Sequence, residues 1–600
     1  MRKVFLIFVA FSFSLFAQEY QFAWISDLHI GSPNADKYLD SVVTLINQNS
    51  DLQFTIAYGD ITENIELEEA KQILDKLNKP YYIIPGNHDT KWSESGGLKF
   101  KELWNDDKFI FEFKNDVYIG LNTGILWKGG GGHFTPEDLI WFENELQKIG
   151  NRKEIYIFIH HPLNKEIDNW YKLSNIIRQF NVKAVFYGHG HTNKIEINNG
   201  INCAMGRSTL ARGNDKTGFN IIVNEKDELN LFEFTNANIM KHVGTINKLD
   251  KQNINFIDSL EVIPFKNKIL FQKDFSSTLS AEPLIWDRKI FSAAYNGIIT
   301  ACDSTGNIIW QYNSNGHILS RPIIRDGYFA FGTLEGELTT LNAYTGQLIQ
   351  TIGLDENITS HFIAYDLESN KELLLPKSTD SKAVVVFGTA SGKMFCYDLE
   401  TLQEYWSFEA STGMIETEPL LINNKLIFGT WDSKVYCINS ESGRLIWDWR
   451  ANKNFYYSPA VCKPVSDGKT IYITTPEKII YAIDLRLGLT NWYNKDFAAW
   501  ESIGLSVNKN FLYLKSIDGK FHIIPIVFSI DTMPTTPLEY KSKILINTKD
   551  GDLYSIYPKK YYQKIFHLGT SRMHSPQIFS NNKILISNMD GKIILFEYGE

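Results

Sequence analysis

Six hundred residues exceed what a single hydrophobic core organises, so at least two domains are expected. With 44% hydrophobic and 22% charged residues, the composition is that of an ordinary soluble globular protein. A net charge of −9 leaves no basic footprint and excludes a nucleic-acid-binding role of the electrostatic kind.

The chain opens with "MRKVFLIFVAFSFSLFAQEY". Arg2 and Lys3 precede an apolar run from Val4 to Phe16, and small Ala17 precedes polar Gln18 and Glu19. Charge, length and boundary make residues 1–17 a signal peptide, too short to span a bilayer. No later run is apolar enough for a transmembrane span, so an exported protein is expected, periplasmic or secreted. From residue 18 to about 238 strands alternate with helices. "FAWISDLHIG" leads to a helix near Ala35–Gln48, and "LQFTIAYGD" to one near Leu67–Leu77. "PYYIIPGNHD" and "DVYIGLNT" follow, then "TPEDLIWFENELQKI", a helix with Thr135 as N-cap and Pro136 at its first position. "EIYIFIHHP", a helix near Tyr171–Phe180 and "VKAVFYGHGH" complete the series. This alternation predicts a layered, largely parallel α/β sheet, in which ligands collect at the carboxyl ends of strands.

Residues 239–265 read as a polar linker. From 266 to 600 the rhythm is a repeat of about forty residues, the range of propellers and solenoids. "SAEPLIWDRKIFSAAYNGIITACDSTGNIIWQY" and "ETEPLLINNKLIFGTWDSKVYCINSESGRLIWDW" are two of the clearer copies. Eight strand–turn–strand signals predict an all-β propeller of eight blades, with seven as the alternative. The last copy ends at Tyr598 without a closing strand, and "ILFQKDFSS" before the first copy is placed to supply it. Trp310, Trp406, Trp447 and Trp492 recur on closing strands as blade packing. Cys302, Cys396 and Cys437 fill matching strand positions, and no disulfide is predicted. These repeats resemble the pyrroloquinoline-quinone-like β-propeller family, including its assembly-factor members that bind no cofactor. The adjacent-cysteine pair common in quinone-using members does not occur here. No quinone is expected, and the propeller is expected to bind substrate, a protein or a cell-surface partner.

Five strand ends of the first half carry polar side chains able to hold metal. "WISDLHIG" sets Asp27 and His29 two apart, so both point the same way on an extended end. "GDITEN" opens with Asp60, "PGNHD" holds Asn87, "HHP" begins with His160, and "GHGH" sets His189 and His191 two apart. Three oxygen and four imidazole donors without a thiolate suit borderline-to-hard divalent ions: Mn, Fe, Zn or Co. Seven donors exceed what one tetrahedral ion needs, and two ions sharing a carboxylate account for the number.

The motif order Asp-x-His, Gly-Asp, Gly-Asn-His-Asp, His, Gly-His-x-His resembles that of the calcineurin-like metallophosphoesterases. The resemblance implies that Asp27, His29 and His191 bind one metal, Asn87, His160 and His189 the second, and that Asp60 bridges them. It further implies that His88 contacts the phosphate and aids the leaving group while Asp89 orients it, and that His161 is not a ligand. Asn87 is also a candidate substrate contact. Glu63 stands where purple acid phosphatases carry a tyrosine, which disfavours an iron(III)–tyrosinate pair. His133 in "KGGGGHFTPED" and Arg207 in "MGRSTLARG" are further candidate substrate contacts. The expected activity is hydrolysis of a phosphate mono- or diester at a dinuclear centre. A scaffold protein with a vestigial phosphoesterase domain is the alternative.

Overall fold

The computed structural model describes residues 19–598, apart from 64–65, 92–96, 126–129, 212–215, 250–267, 368–382, 410, 508, 510, 518–519, 521–534, 542, 549–550 and 558–560. The residues expected to be a signal peptide, and most of those expected to be a linker, lie outside the described residues. No helix among the described residues is long and apolar enough to cross a membrane.

The Val-, Ile- and aromatic-rich runs of the first half form two six-stranded sheets. One holds β1 (Tyr20–Ser26), β2 (Leu52–Tyr58) and β3 (Tyr81–Ile84); the other holds β4 (Phe109–Phe113), β5 (Asp116–Gly120), β6 (Glu154–Phe158) and β7 (Val182–Tyr187), with β8 (Lys194–Asn198) and β9 (Ile201–Met205). β10 (Gly218–Asn224), β11 (Glu228–Thr235) and β12 (Met240–Asn247) return to the first sheet, giving the orders β12-β11-β10-β1-β2-β3 and β4-β5-β6-β7-β9-β8. β1, β2 and β3 run parallel, as do β5, β6, β7 and β9. β12 extends the domain past the boundary expected at residue 238. Its sequence, MKHVGTIN, is polar because this strand is the edge of its sheet, with mostly exposed side chains.

The sheets face each other across an aromatic core. Phe22, Trp24, Phe54 and Tyr58 of the first meet Tyr118, Tyr156, Phe158 and Phe186 of the second. Each such burial stabilises by about 1.5–3 kcal/mol. α1 (Ala35–Gln48) and α2 (Leu67–Leu74) cover the outer face of the first sheet; α5 (Pro136–Ile149) and α6 (Trp170–Ile177) cover that of the second. The α5 boundary is set as its sequence indicates: Thr135 Oγ1 accepts from the Asp138 amide at 3.2 Å, and Pro136 follows it. The "NHDTK" run after β3, which reads as a turn, is a one-turn helix, α3 (Asn87–Lys91), with α4 (Leu98–Trp104) beyond it.

The second half is the all-β propeller. Seven four-stranded antiparallel sheets are complete among the described residues. This matches the seven blades offered as the alternative to eight, and a two-stranded sheet of Ala499–Leu505 and Leu512–Ser516 stands between the sixth and seventh in chain order. Lys268–Asp274 pairs antiparallel with Lys592–Glu597 and closes the ring from its beginning. The recurring tryptophans tie one blade to the next. Trp310, Trp406 and Trp447 donate Nε1–H to the carbonyls of Ala343, Ser440 and Leu485 at 3.1, 3.1 and 3.2 Å. Each indole lies where a Cβ on Gly346, Gly443 or Gly488 would come within 2.6 Å of it, so the glycine of the neighbouring turn admits the ring. Trp492 is 44% exposed and makes no such dock. Cys396 and Cys437 pair across their strands with Trp406 and Trp447, but Trp310 faces Ala301. Cys302 is therefore one position out of register with the other two. All five cysteines are free and buried.

The propeller docks on the first domain through buried polar contacts. Lys91, 3% exposed at the end of α3, sits 5.4 Å from the Trp431 ring and 3.6 Å from Glu416. Lys172 pairs with buried Asp590 at 2.9 Å, Asn169 donates to the same carboxylate at 3.4 Å, and Thr570 Oγ1 donates to the Asp168 carbonyl at 2.9 Å.

Candidate metal centre

The carboxyl ends of β1, β2, β3, β6 and β7 meet at one edge of the sandwich, each delivering its polar residues in the next few positions. Five of those residues, Asp27, His29, Asp60, His189 and His191, hold positive φ between 43° and 64°. L-residues adopt that conformation at a cost, and such strain concentrates where side-chain direction matters more than backbone comfort. Two glycines make the crowding possible. A Cβ on Gly59 would lie 1.6 Å from His160 Nδ1, and one on Gly188 would lie 2.0 Å from Ser26 Oγ.

The donors form two adjoining groups around Asp60. In the first, His191 Nε2 lies 3.2 Å from His29 Nε2 and 3.3 Å from Asp27 Oδ1, and His29 Nε2 lies 3.9 Å from Asp60 Oδ2. In the second, His160 Nε2 lies 3.0 Å from Asn87 Oδ1, 3.2 Å from His189 Nδ1 and 3.3 Å from the same Asp60 Oδ2. Asp27, His29, Asp60 and His191 present atoms all within 4.8 Å of one another. Imidazole nitrogens and carboxylate oxygens that face each other this closely cannot all be satisfied by shared protons. The set has the chemistry of a divalent-cation site, and it divides into Asp27, His29 and His191 on one side and Asn87, His160 and His189 on the other, with Asp60 between them. Burial works to raise the Asp60 carboxyl, but His160, His88 and His29 around it hold it well below the usual carboxylate range. Burial likewise opposes ionisation of Asp27, and its bond to His191, with His160 nearby, keeps it low.

Other side chains aim these donors. His29 Nδ1 donates to Glu63 Oε2 at 2.8 Å, which turns Nε2 inward, and Ser32 Oγ donates to the same oxygen at 3.2 Å. The sequence marks Glu63 only as a departure from the tyrosine of purple acid phosphatases; its place three residues after Asp60 was the available signal for this bond. The His88 amide donates to Asp60 Oδ1 at 3.0 Å, and its Nδ1 donates to the Glu63 carbonyl at 3.1 Å. That leaves His88 Nε2 toward the pocket, 3.9 Å from Asp60 Oδ2. Burial first, then the neighbouring His29, keep its basicity below the ordinary imidazole value.

Three expectations are corrected. Asp89 accepts the amides of Gly86, Ile61 and Thr62 at 2.7, 3.0 and 2.9 Å. It therefore clamps the loop carrying Asp60 to the loop carrying Asn87, while the Glu63 carbonyl holds His88. Burial and the charge of Asp60 push the Asp89 carboxyl up to about 6 despite those amides. His133 is fully buried and donates Nδ1–H to Asp168 at 2.7 Å, so it braces the domain interface and does not line the pocket mouth. The glycine run before it suggests a loose loop, yet the Gly132 amide is bonded to the Glu166 carbonyl at 2.8 Å. Arg207 pairs with Glu233 and donates to the carbonyls of Ser208 and Lys216, which commits its guanidinium away from substrate. His161 is held at both ring nitrogens, by Thr123 Oγ1 at 2.9 Å and the Gly130 carbonyl at 3.1 Å.

A layered α/β sandwich with a two-centre His/Asp/Asn cluster at its strand ends defines a metal-dependent phosphoester hydrolase. The family model described as calcineurin-like phosphoesterase matches residues 20–193, and the chain belongs to that family. A model described as outer membrane protein assembly factor BamB matches residues 260–449 and, overlapping, 368–495. A protein of Coxiella burnetii named probable cyclic nucleotide phosphodiesterase is 31% identical over 193 residues, 28% of this chain and 75% of that one. A probable glycerophosphodiester phosphodiesterase of Arcobacter nitrofigilis is 32% identical over 155 residues, 23% of this chain and 55% of that one. A glycerophosphodiester phosphodiesterase of Enterobacter lignolyticus is 28% identical over 195 residues, 28% of this chain and 70% of that one.

Proposed function

We propose that this protein acts outside the cytoplasm as a hydrolase of phosphate esters, diesters foremost, at the cluster centred on Asp60. The observation that carries the reading is the convergence of seven donors from five strand ends, six of them in two groups on either side of Asp60, with His88 Nε2 beside it. The phosphodiesterase names of the relatives support a diester. Two divalent ions, when bound, supply a charge clamp for the phosphoryl oxygens and a nucleophilic water of lowered pKa. The chain's own residues do the rest. Asn87, anchored at the start of α3, fixes one side of the phosphoryl site. Glu63 holds the tautomer and direction of both His29 and His88. When His88 is protonated, with Nδ1–H held on the Glu63 carbonyl, the second proton sits on Nε2 and passes to the departing oxygen as the phosphorus–oxygen bond breaks; the lowered basicity of the ring eases that transfer and shifts the donor form to the acidic side of the ordinary imidazole range.

The full chain supplied with Mn²⁺ is expected to hydrolyse bis(p-nitrophenyl) phosphate faster than p-nitrophenyl phosphate, and a chelator is expected to abolish both. Failure on both esters with Mn, Fe, Zn and Co in turn would overturn the reading. Residues 1–17 support export. Cell fractionation with N-terminal sequencing tests it: an intact first residue on cytoplasmic protein would remove that part of the proposal.

A further inference from the structure

One wall of the pocket does not come from the phosphoesterase domain. His29, Asp60, Glu63, His88 and His191 make its polar floor, and Leu210 and the propeller's Tyr456 make its apolar side. Tyr456 lies in the turn Phe455–Tyr457, and its ring centroid is 5.9 Å from that of His88, at 69°. It remains 39% exposed, which is unlike an aromatic placed to fill a core.

The turn that carries it is held firmly. The Tyr456 amide donates to Asn454 Oδ1 at 3.0 Å, the Asn454 amide to Asn452 Oδ1 at 2.8 Å, and Asn452 Nδ2 to Glu477 at 2.6 Å. On the other side, buried Ser458 donates to the Trp431 carbonyl at 3.0 Å. Trp431 is the residue against whose ring Lys91 docks, and Lys91 ends the same short helix that begins with Asn87 and His88. The tyrosine and the histidine are thus referred to one shared anchor. An exposed aromatic ring, fixed in place beside the proton donor of a charged pocket, has the features of a recognition surface whose ordering cost is already met.

We propose that Tyr456 is a specificity-determining residue of this site, receiving the planar organic group of the ester on its ring while the phosphate lies over the donors. The ring stands on the His88 side, so the group it receives is the departing alcohol. The substrate class is then an ester whose leaving group carries an aromatic or similarly flat moiety, and the propeller is part of the active site. This rests on the phosphoesterase reading for the position of the phosphate.

The test uses probes that cannot turn over. Phenylphosphonate and methylphosphonate carry the same charge and differ in the flat group, and their affinities for the Mn²⁺-loaded full chain are compared by calorimetry. The wild-type chain is expected to favour phenylphosphonate by about tenfold, the scale of one good aromatic contact. Tyr456→Ala is expected to bring that ratio below about twofold, and Tyr456→Phe to keep it near the wild-type value. A ratio unchanged in Tyr456→Ala, a wild-type ratio of one, or no binding of either probe would each overturn the proposal. If the ratio follows Tyr456 while no ester is hydrolysed with any metal, the hydrolase reading fails and the assignment of the ring stands.

Discussion

Asp60→Asn is expected to lower kcat/KM by about a thousandfold or more and to reduce bound metal from two ions per chain towards one. Loss of a partner that merely orients a ligand costs about 10–100-fold, and Asp60 is the one residue common to both donor groups. Its two oxygens have separate duties: Oδ2 faces His29 and His160, and Oδ1 accepts the His88 amide. An amide in its place keeps one acceptor and turns an NH₂ group or a weaker oxygen toward imidazole nitrogens. It also removes the negative charge that balances the cluster. Metal analysis and kinetics on the same sample, with circular dichroism to confirm the fold, decide the matter. Full metal content with unaltered turnover would place the bridge elsewhere.

His88→Ala should cost rate in proportion to how badly the leaving group needs a proton. With an alkyl diester the loss is expected to be about 10²–10⁴-fold, the usual contribution of a placed general acid. With p-nitrophenolate, stable as an anion, the loss should be several-fold smaller. The comparison separates two roles that the geometry alone would allow, since His88 Nε2 faces the pocket either as proton donor or as a hydrogen-bond donor to a phosphoryl oxygen. An equal loss on both esters would assign it the second role. Metal content should be retained, because the Glu63 side chain still orients His29 when His88 is gone.

What the sequence disclosed and what it hid divide along a physical line. Strand ends were legible because strands announce themselves by apolar runs and because glycine appears where close approach requires it, as at Gly59 and Gly188. The α5 start was legible because its cap and proline are local. Ring closure could be read from an orphan strand at one end and a missing one at the other. Roles that depend on partners far along the chain were hidden. Asp89 looks like a neighbour for His88 in "NHD", yet its partners are amides of the Asp60 loop and of Gly86. His133 is set by Asp168, and Arg207 by Glu233. Cys302 misled by one position because it stands eight residues before Trp310, whereas Cys396 and Cys437 stand ten before Trp406 and Trp447. Tyr456 belongs to no motif; only the docking of two domains brings it to His88.

The way the ring is fastened also orders events during synthesis. Every strand of the phosphoesterase sheets precedes residue 248, so that domain can finish while the blades are still emerging. The propeller cannot seal until Lys592–Glu597 emerges to meet Lys268–Asp274, and Asp590, which grips Lys172 and Asn169, arrives in the same final stretch. A nascent polypeptide cut short by even its last strand would therefore carry a folded donor cluster beneath an unlatched ring.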